Sequence, residues 1–297
     1  MPTTDELVHH DAPSRTAGAG RRRPAPRTRW DRRGAGLLAL GLVLGIGTVL
    51  PLVVMVLGSL KPEAEVTAPS ILPQQPTLEN YVYVFTEVPF GRYLLNSAIV
   101  AGVITVLALW FHSMAAYALA RLRFPGREAI FLVIFSTLLV SLPVVMVPTF
   151  AVVRTLGLVD TYGGLIIPAI FNAFGIFLLR QFYVAMPGEL EEAALLDGAS
   201  YWRVYWNVIL PLSRPILAAL AVFFFLANWN AFVWPLTITS DPSLRTVQVG
   251  IAGFQQQYEG NLNYTLAAAT VAAVPMLLLF LFFQRQLVES IKSAGFK

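Results

Sequence analysis

Residues 188–215, GELEEAALLDGASYWRVYWNVILPLSRP, lie between two apolar runs that are long enough to cross a membrane. The first helix of this segment is predicted to begin just after Gly188, where three glutamates complement the positive end of the helix dipole. Gly198 is expected to adopt the left-handed conformation that commonly ends a helix. The segment therefore predicts a short acidic helix that ends at a sharp corner.

A second short helix is predicted after this corner, with Ser200 as its N-cap and Pro211 as its end. Five residues recur at helical spacing and give this helix one apolar face, namely Tyr201, Val204, Tyr205, Val208 and Ile209. Such a helix pair could lie on lipid headgroups or dock on a protein. Residues 189–203 contain four acidic residues and one arginine, the wrong sign for an anionic leaflet, so docking is favoured.

The composition of the whole chain is that of a membrane protein. Hydrophobic residues make up 56% and charged residues 13% of the 297 residues, whereas a soluble domain carries about 25% charged residues. Six apolar runs approach the length of about 20 residues that crosses a bilayer, and none contains Asp or Glu. They are residues 35–60, 93–120, 129–153, 163–179, 216–239 and 265–283. We therefore predict an all-α membrane protein with six transmembrane helices.

Basic residues predict the orientation of these spans. With the N-terminus inside, seventeen Lys and Arg residues fall on inner segments and four on outer ones. Because inner loops carry the excess of basic residues, both termini and the loop at 186–215 are expected to be cytoplasmic. Residues 1–34 are rich in Arg, Pro, Gly and Ala and predict a disordered basic cytoplasmic tail. The apolar run that follows is too long for the apolar core of a secretory signal, so we expect an uncleaved anchor. Residues 35–297 are then the predicted six-helix membrane domain.

The stretch EAALLDGASYWRVYWNVILP resembles the cytoplasmic loop motif of permease subunits of bacterial ABC importers. That motif reads Glu-Ala-Ala, three residues, Gly, nine residues, then Ile-x-Leu-Pro, and here Val208 replaces the usual Ile. Further stretches at 117–127, 160–168 and 228–236 resemble the carbohydrate-uptake branch of these permeases, in particular its maltose-type second subunit. The similarity covers roughly residues 35–297.

This resemblance implies a six-helix subunit that pairs with a second, homologous permease. Its loop would be a coupling-helix hairpin docked on a cytosolic ABC ATPase dimer, and an extracytoplasmic solute-binding protein would deliver a sugar. The residues that the resemblance assigns to ATPase coupling are Glu192, Ala193, Ala194, Asp197, Gly198, Leu210 and Pro211.

Polar and aromatic residues of the apolar runs are candidates for the sugar pathway, because sugar rings present apolar faces rimmed by hydroxyls. They are Asn172, Asn228, Trp229, Asn230 and Trp234. Hydrogen bonding and packing between helices is the alternative role for these residues. The resemblance also implies that the loop at 240–264, with Gln255, Gln256 and Tyr258, contacts the binding protein; otherwise it is a plain solvated connection.

Other function classes find little support in the sequence. No lysine lies in a P-loop, so ATP and Mg²⁺ are expected on the partner ATPase and no cofactor in this chain. An ion-coupled secondary transporter would use intramembrane carboxylates or histidines, and the six runs contain only His112. No paired carboxylates, nucleophile–base arrangement or metal-ligand spacing points to an enzyme or a metal site. The sequence leaves the identity of the solute open, whether a sugar or another compound. Because the predicted outer segments carry few basic residues, a phosphorylated solute is disfavoured.

Overall fold

The computed structural model describes residues 32–257 and 262–295, and over these residues the chain is helical without a strand. The helical class predicted from the sequence is therefore confirmed. The α-helices are α1 (Arg32–Ser59), α2 (Glu79–Thr86), α3 (Phe90–Arg121), α4 (Arg127–Ser136), α5 (Leu142–Thr155), α6 (Tyr162–Ile170), α7 (Ala173–Ala185), α8 (Glu189–Leu196), α9 (Tyr201–Val204), α10 (Leu210–Leu212), α11 (Arg214–Trp229), α12 (Val233–Ile238), α13 (Val247–Gln257) and α14 (Leu262–Gly295).

Two compact units make up the chain, Met1–Leu50 and Pro51–Lys297. Of the first unit the structure describes the part of α1 that begins at Arg32, so this helix starts three residues before the predicted boundary at residue 35. The rest of the predicted tail lies outside the described residues. The second unit contains the loop motif and the packed helices discussed below.

Four helical stretches in the described part of the chain are long and apolar enough to cross a membrane. They are Gly36–Ser59, Phe90–Arg121, Tyr162–Ala185 and Leu262–Gln284. Two bent pairs, Arg127–Leu139 with Pro143–Thr155 and Tyr201–Leu212 with Arg214–Trp229, raise the number to six if each pair is one span. The predicted runs coincide with these stretches except for the fifth, 216–239, which extends ten residues beyond Trp229.

Two of the predicted runs are not straight helices. The third run bends by 107° between α4 and α5, where Val140 and Ser141 are extended and Pro143 occupies the first turn of the new helix. That position tolerates proline because its missing N–H would have no partner there. The third predicted run is therefore two helices joined by a bend next to Pro143, and it counts as one span when the bent pair is taken together.

The fifth run also differs from the prediction of one span over 216–239, because α11 ends at Trp229 and α12 is separate. The side-chain amides of Asn228 and Asn230 donate to the carbonyls of Phe224 and Leu226, at 2.8 and 2.9 Å. Such local side-chain bonds compete with the helical ladder. They accompany the end of this helix.

The central helix of the second unit is α3, which packs against α6, α7, α11 and α13. Buried alanines along it, Ala101, Ala108 and Ala116, allow neighbouring helices to approach closely. Around its C-terminal end lies a cluster that includes Tyr183 of α7 and Tyr205 from the loop. The C-terminal end of α3 thus supports the segment that carries the loop motif.

The opposite end of α3 holds the connection that follows α12. The amide of Asn96 donates to the carbonyls of Ser243 and Arg245, both at 2.9 Å, and the Ser97 hydroxyl accepts the N–H of Val247 at 2.8 Å. Beside them the N–H of Ser243 donates to the carboxylate of Asp241 and lowers the pKa of that side chain. This segment is therefore fixed to the N-terminal end of α3 by directional bonds.

Three helices meet closely at Gly175 of α7. A Cβ at this position would overlap the imidazole of His112 on α3 and lie 2.6 Å from Cζ of Phe224 on α11. His112 and Phe224 pack edge to face, with ring centroids 5.4 Å apart, and His112 is fully buried. Only glycine leaves room for this crossing.

The crossing gives a direct prediction for stability. Gly175→Ala should destabilise the chain, because overpacking costs about 1–3 kcal/mol and the gain in helix propensity is only about 1 kcal/mol. The matched control is Gly102→Ala on α3, where a Cβ meets no atom within 4 Å. Melting temperatures in one detergent should fall for the first variant and stay equal or rise for the second. An unchanged or higher melting temperature for Gly175→Ala would contradict this packing.

Candidate functional site

The loop motif forms the corner that the sequence predicts. α8 ends at Leu196, and Gly198 has a φ of +81°. The N–H of Ala199 donates to Ala194 O at 3.0 Å, which satisfies a carbonyl at the helix end. The Ser200 hydroxyl accepts the N–H of Arg203 at 3.4 Å and begins the second helix. The left-handed glycine and the N-cap are therefore confirmed.

The second loop helix does not end at Pro211, and that prediction is wrong. After α9 the chain forms a π-helical turn over Tyr205–Ile209 and continues as α10 to Leu212. The N–H of Leu210 donates to Tyr205 O, so the wider turn precedes Pro211, which then lies in the first turn of α10 and needs no N–H partner. The direction changes after Leu212 instead, where α11 starts at 74° to the loop helix.

One face of α8 is exposed. Glu192, Ala193, Asp197 and Gly198 are exposed, and Leu196 is 88% exposed. Ala194 is half-buried, as are Leu210 and Pro211 on α10. We call the surface of Glu192, Ala193, Leu196 and Asp197 the α8 face; it combines two carboxylates with a fully presented leucine.

The acidic residue that the sequence reasoning missed is Glu191. It is 7% exposed, and its Oε1 accepts a hydrogen bond from the Tyr117 hydroxyl of α3 at 2.9 Å. Its Oε2 lies 3.6 Å from Nε of Arg121, an ion pair rather than a hydrogen bond. The signal available in the sequence was its helical spacing from Ala194 and Leu195, which pack toward the same inner cluster.

Asn172 lies at the break between α6 and α7. Its side-chain oxygen caps the N–H of Phe174 at 2.8 Å, and its own N–H donates to Nε2 of the buried His112 at 3.1 Å. Asn172 is exposed, and so is the ring of Phe171, whose centroid is 5.6 Å from that of Phe111. An amide and aromatic rings are thus adjacent where the fourth span is interrupted.

The other predicted pathway residues are not brought together with Asn172. Trp229 is 2% exposed and donates from Nε1 to Ala272 O at 3.2 Å, so its indole packs between α11 and α14. Trp234 donates to Gly164 O at 3.1 Å. The Asn230 side-chain oxygen accepts a bond from Gln248 at 3.1 Å. These contacts are the interhelical packing that the sequence left as the alternative.

The predicted contacts for a binding protein cannot be placed. Tyr258 and the side chains of Gln255 and Gln256 lie outside the described residues. Within the described ranges no group of three or more His, Cys, Asp or Glu residues could hold a metal ion.

Comparison with known proteins identifies the family. The family model for the inner membrane components of binding-protein-dependent transport systems matches residues 112–293, more than half of the chain. AraQ of Halalkalibacterium halodurans, an arabinooligosaccharides transport permease, is 35% identical, over 88% of this chain and 96% of its own. NgcG of Streptomyces coelicolor, from a diacetylchitobiose uptake system, is 34% identical, over 90% of each chain.

Two further similarities extend this result. UgpE of Yersinia pestis, an sn-glycerol-3-phosphate transport permease, is 36% identical, over 88% of this chain and 97% of its own. A solved bacterial ABC transporter involved in import of the acidic polysaccharide alginate contains a chain with a TM-score of 0.75 and 25% identity. The likeness covers 87% of this chain and 98% of that one. The chain belongs to the inner membrane components of binding-protein-dependent transport systems and is a permease subunit of an ABC importer.

Proposed function

We propose that this chain forms half of the translocation pathway of a carbohydrate importer, with its α8 face docked on a cytosolic ATPase. The observation that carries this proposal is the loop itself. An exposed acidic helix with an 88% exposed leucine ends at a left-handed glycine corner, and its inner side is fastened to α3. One exposed leucine alone would be ordinary. Here, however, it lies beside the exposed carboxylates of Glu192 and Asp197 on a helix whose other side is bound to α3, and a partner groove would bury this mixed face.

The assembly that this role requires contains three kinds of partner. A second, homologous permease supplies the other half of the pathway, a cytosolic ATPase dimer binds ATP and Mg²⁺, and an extracytoplasmic solute-binding protein delivers the solute. We expect this chain itself to require no cofactor. Closure of the ATPase dimer would shift the population between inward-facing and outward-facing states, because the docked loop is displaced differently in each.

The proposed orientation has both termini and the loop in the cytoplasm. At the loop end of the helices, Arg121 contacts Glu191 of α8, and Arg180 of α7 pairs with Glu128 at 2.9 Å. A concentration of arginines at the same end as α8 supports a cytoplasmic loop. Asn96 and the outer segment that it binds would then face the outside.

A neutral or weakly acidic saccharide is the solute class that the site supports best. Asn172 presents an amide beside Phe171 and Phe111, and Phe111 stacks with Trp110 at 5.8 Å between ring centroids. Aromatic faces with a nearby amide suit the apolar faces and hydroxyl rims of sugar rings. The names of AraQ and NgcG, which refer to oligosaccharides, support the same class.

A phosphorylated polyol is the second candidate, because UgpE is 36% identical and its name refers to sn-glycerol-3-phosphate. Phosphate recognition usually requires Arg or Lys, and neither lies next to Asn172 in the sequence. Binding assays of the co-purified solute-binding protein with neutral oligosaccharides and with glycerol phosphate would separate the two classes.

Purification in mild detergent tests the assembly. The tagged chain should retain a second permease and a P-loop ATPase, identified by mass spectrometry. Glu192→Lys should reduce the recovered ATPase about tenfold or more, as expected when roughly 1.4 kcal/mol of binding is lost. Glu87→Lys makes the same charge change at an exposed outer position and should leave the amount of recovered ATPase unchanged. A chain that purifies alone and moves solute into liposomes without ATP would overturn the proposal in favour of a secondary transporter.

Substitution at the corner tests coupling. Gly198→Val should let ATP hydrolysis continue while sugar uptake per ATP falls about tenfold, within the usual range of coupling between sites. The cause is backbone strain at a φ of +81°, because a Cβ there meets no atom within 4 Å.

Gly198→Asn is the matched control for this substitution, since asparagine tolerates left-handed backbone, and it should retain most of the uptake. Uptake and hydrolysis are measured together in proteoliposomes with a sugar that the co-purified binding protein takes up. Normal uptake by Gly198→Val in an intact complex would show that the corner is unimportant for coupling.

A further inference from the structure

A stripe of three polar residues runs along the inner end of α3. Ser113, Tyr117 and Arg121 are four residues apart and therefore lie on one face of the helix. Ser113 and Tyr117 are 1% and 5% exposed, and the side chain of Arg121 is 16% exposed. We call these residues the α3 stripe. Polar groups buried to this degree need hydrogen-bond partners. The partners show which elements the α3 stripe holds in place.

The partner at the lower part of the stripe is α8. Glu191 accepts the hydroxyl of Tyr117 at 2.9 Å and faces Arg121 at 3.6 Å. Arg121 also donates to the carbonyl of Met186, three residues before α8 begins. The start of α8 is thus tied to α3 through a buried carboxylate and a main-chain carbonyl.

The partner at the upper part of the stripe is the second loop helix. The hydroxyl of Tyr205 donates to Ser113 Oγ at 2.9 Å, and Ser113 is also bonded to the Tyr183 hydroxyl of α7 at 2.7 Å. The rings of Tyr117 and Tyr205 are 5.2 Å apart between centroids. Tyr205 is the first residue of the π-helical turn, a distortion that is frequent at functional sites.

These bonds fasten both loop helices, on either side of the Gly198 corner, to the same face of one transmembrane helix. Apolar contacts between helices permit sliding, whereas the directional bonds of a buried polar network favour one arrangement. The far end of the same helix binds the outer segment through Asn96 and Ser97. α3 has 32 residues and is a continuous rod of about 48 Å between the loop and that segment.

We propose that Ser113, Tyr117 and Arg121 are positioning residues that make the loop and the inner end of α3 move as one body. A displacement of α8 is then transmitted along α3 to the outer segment at 240–247. The position of this segment therefore depends on the nucleotide that the ATPase binds. This inference rests on the proposed function, because it takes the ATPase as the source of the displacement.

Pulsed EPR on the assembled complex in nanodiscs tests this transmission. Spin labels are attached to genetically encoded keto side chains at Leu196 on α8 and at Phe124, an exposed residue just after α3. The probe is ATP with vanadate, compared with no nucleotide. In the unmodified background the mean label distance should be the same in both conditions, because the two labelled sites move together.

Loss of the bonds should separate the two motions. The double variant Tyr117→Phe with Glu191→Gln should show a distance change of about 2 Å or more with ATP and vanadate, the scale of helix shifts in switching proteins. Tyr117→Phe alone removes one hydroxyl and keeps the carboxylate–arginine pair, so it should fold and show a smaller change. Tyr93→Phe, the same substitution at the outer end of α3, is the matched control and should show none.

The possible outcomes distinguish this inference from the proposed function. A complex that hydrolyses ATP but shows a nucleotide-dependent distance in the unmodified chain would overturn the inference alone. The same holds if the double variant keeps the distance constant. A purified complex without an ATPase would overturn the proposed function and the inference with it. A constant distance that becomes nucleotide-dependent only in the Tyr117 and Glu191 variants supports both.

Discussion

The hydrogen bond from Tyr117 to the buried carboxylate of Glu191 is the contact on which the loop arrangement depends. A buried carboxylate without partners is costly, and removing one partner of a buried charge typically destabilises by about 3–5 kcal/mol. Tyr117 and Arg121 supply both partners from a single helix. The first loop helix therefore has one favourable position against α3. Its remaining acidic side chains are exposed, namely Glu189, Glu192 and Asp197.

The close crossing of three helices at a residue without a side chain provides the second constraint. At Gly175 three helices meet around His112 and Phe224, and the neighbouring N–H of Asn172 is satisfied by the same histidine. The break in the fourth span is thus held from the core, which allows an exposed amide to be presented at a defined place. In a bilayer, such a break is tolerated only where its free backbone groups find partners in the protein.

The sequence predicts the parts of this structure that depend on local chemistry. Hydropathy locates all six apolar runs, and the corner follows from Gly198 and Ser200 because left-handed backbone and N-capping are properties of single residues. What it misses depends on partners far away in the chain. The spacing of Glu191 from Ala194 and Leu195 places it on the packed side of the helix, but its partner Tyr117 lies 74 residues earlier and cannot be identified from the sequence. The continuation of the helix through Pro211 likewise depends on a π-helical turn that no propensity predicts.

Photo-crosslinking tests most directly whether the α8 face is buried against a separate ATPase. A photoreactive side chain at Leu196, 88% exposed, is compared with one at Leu72, 68% exposed on an outer loop. The account predicts that irradiation of native membranes joins Leu196 to a P-loop ATPase and that Leu72 gives no such product. Crosslinks from Leu196 to lipid alone, or to the same partner as Leu72, would contradict it.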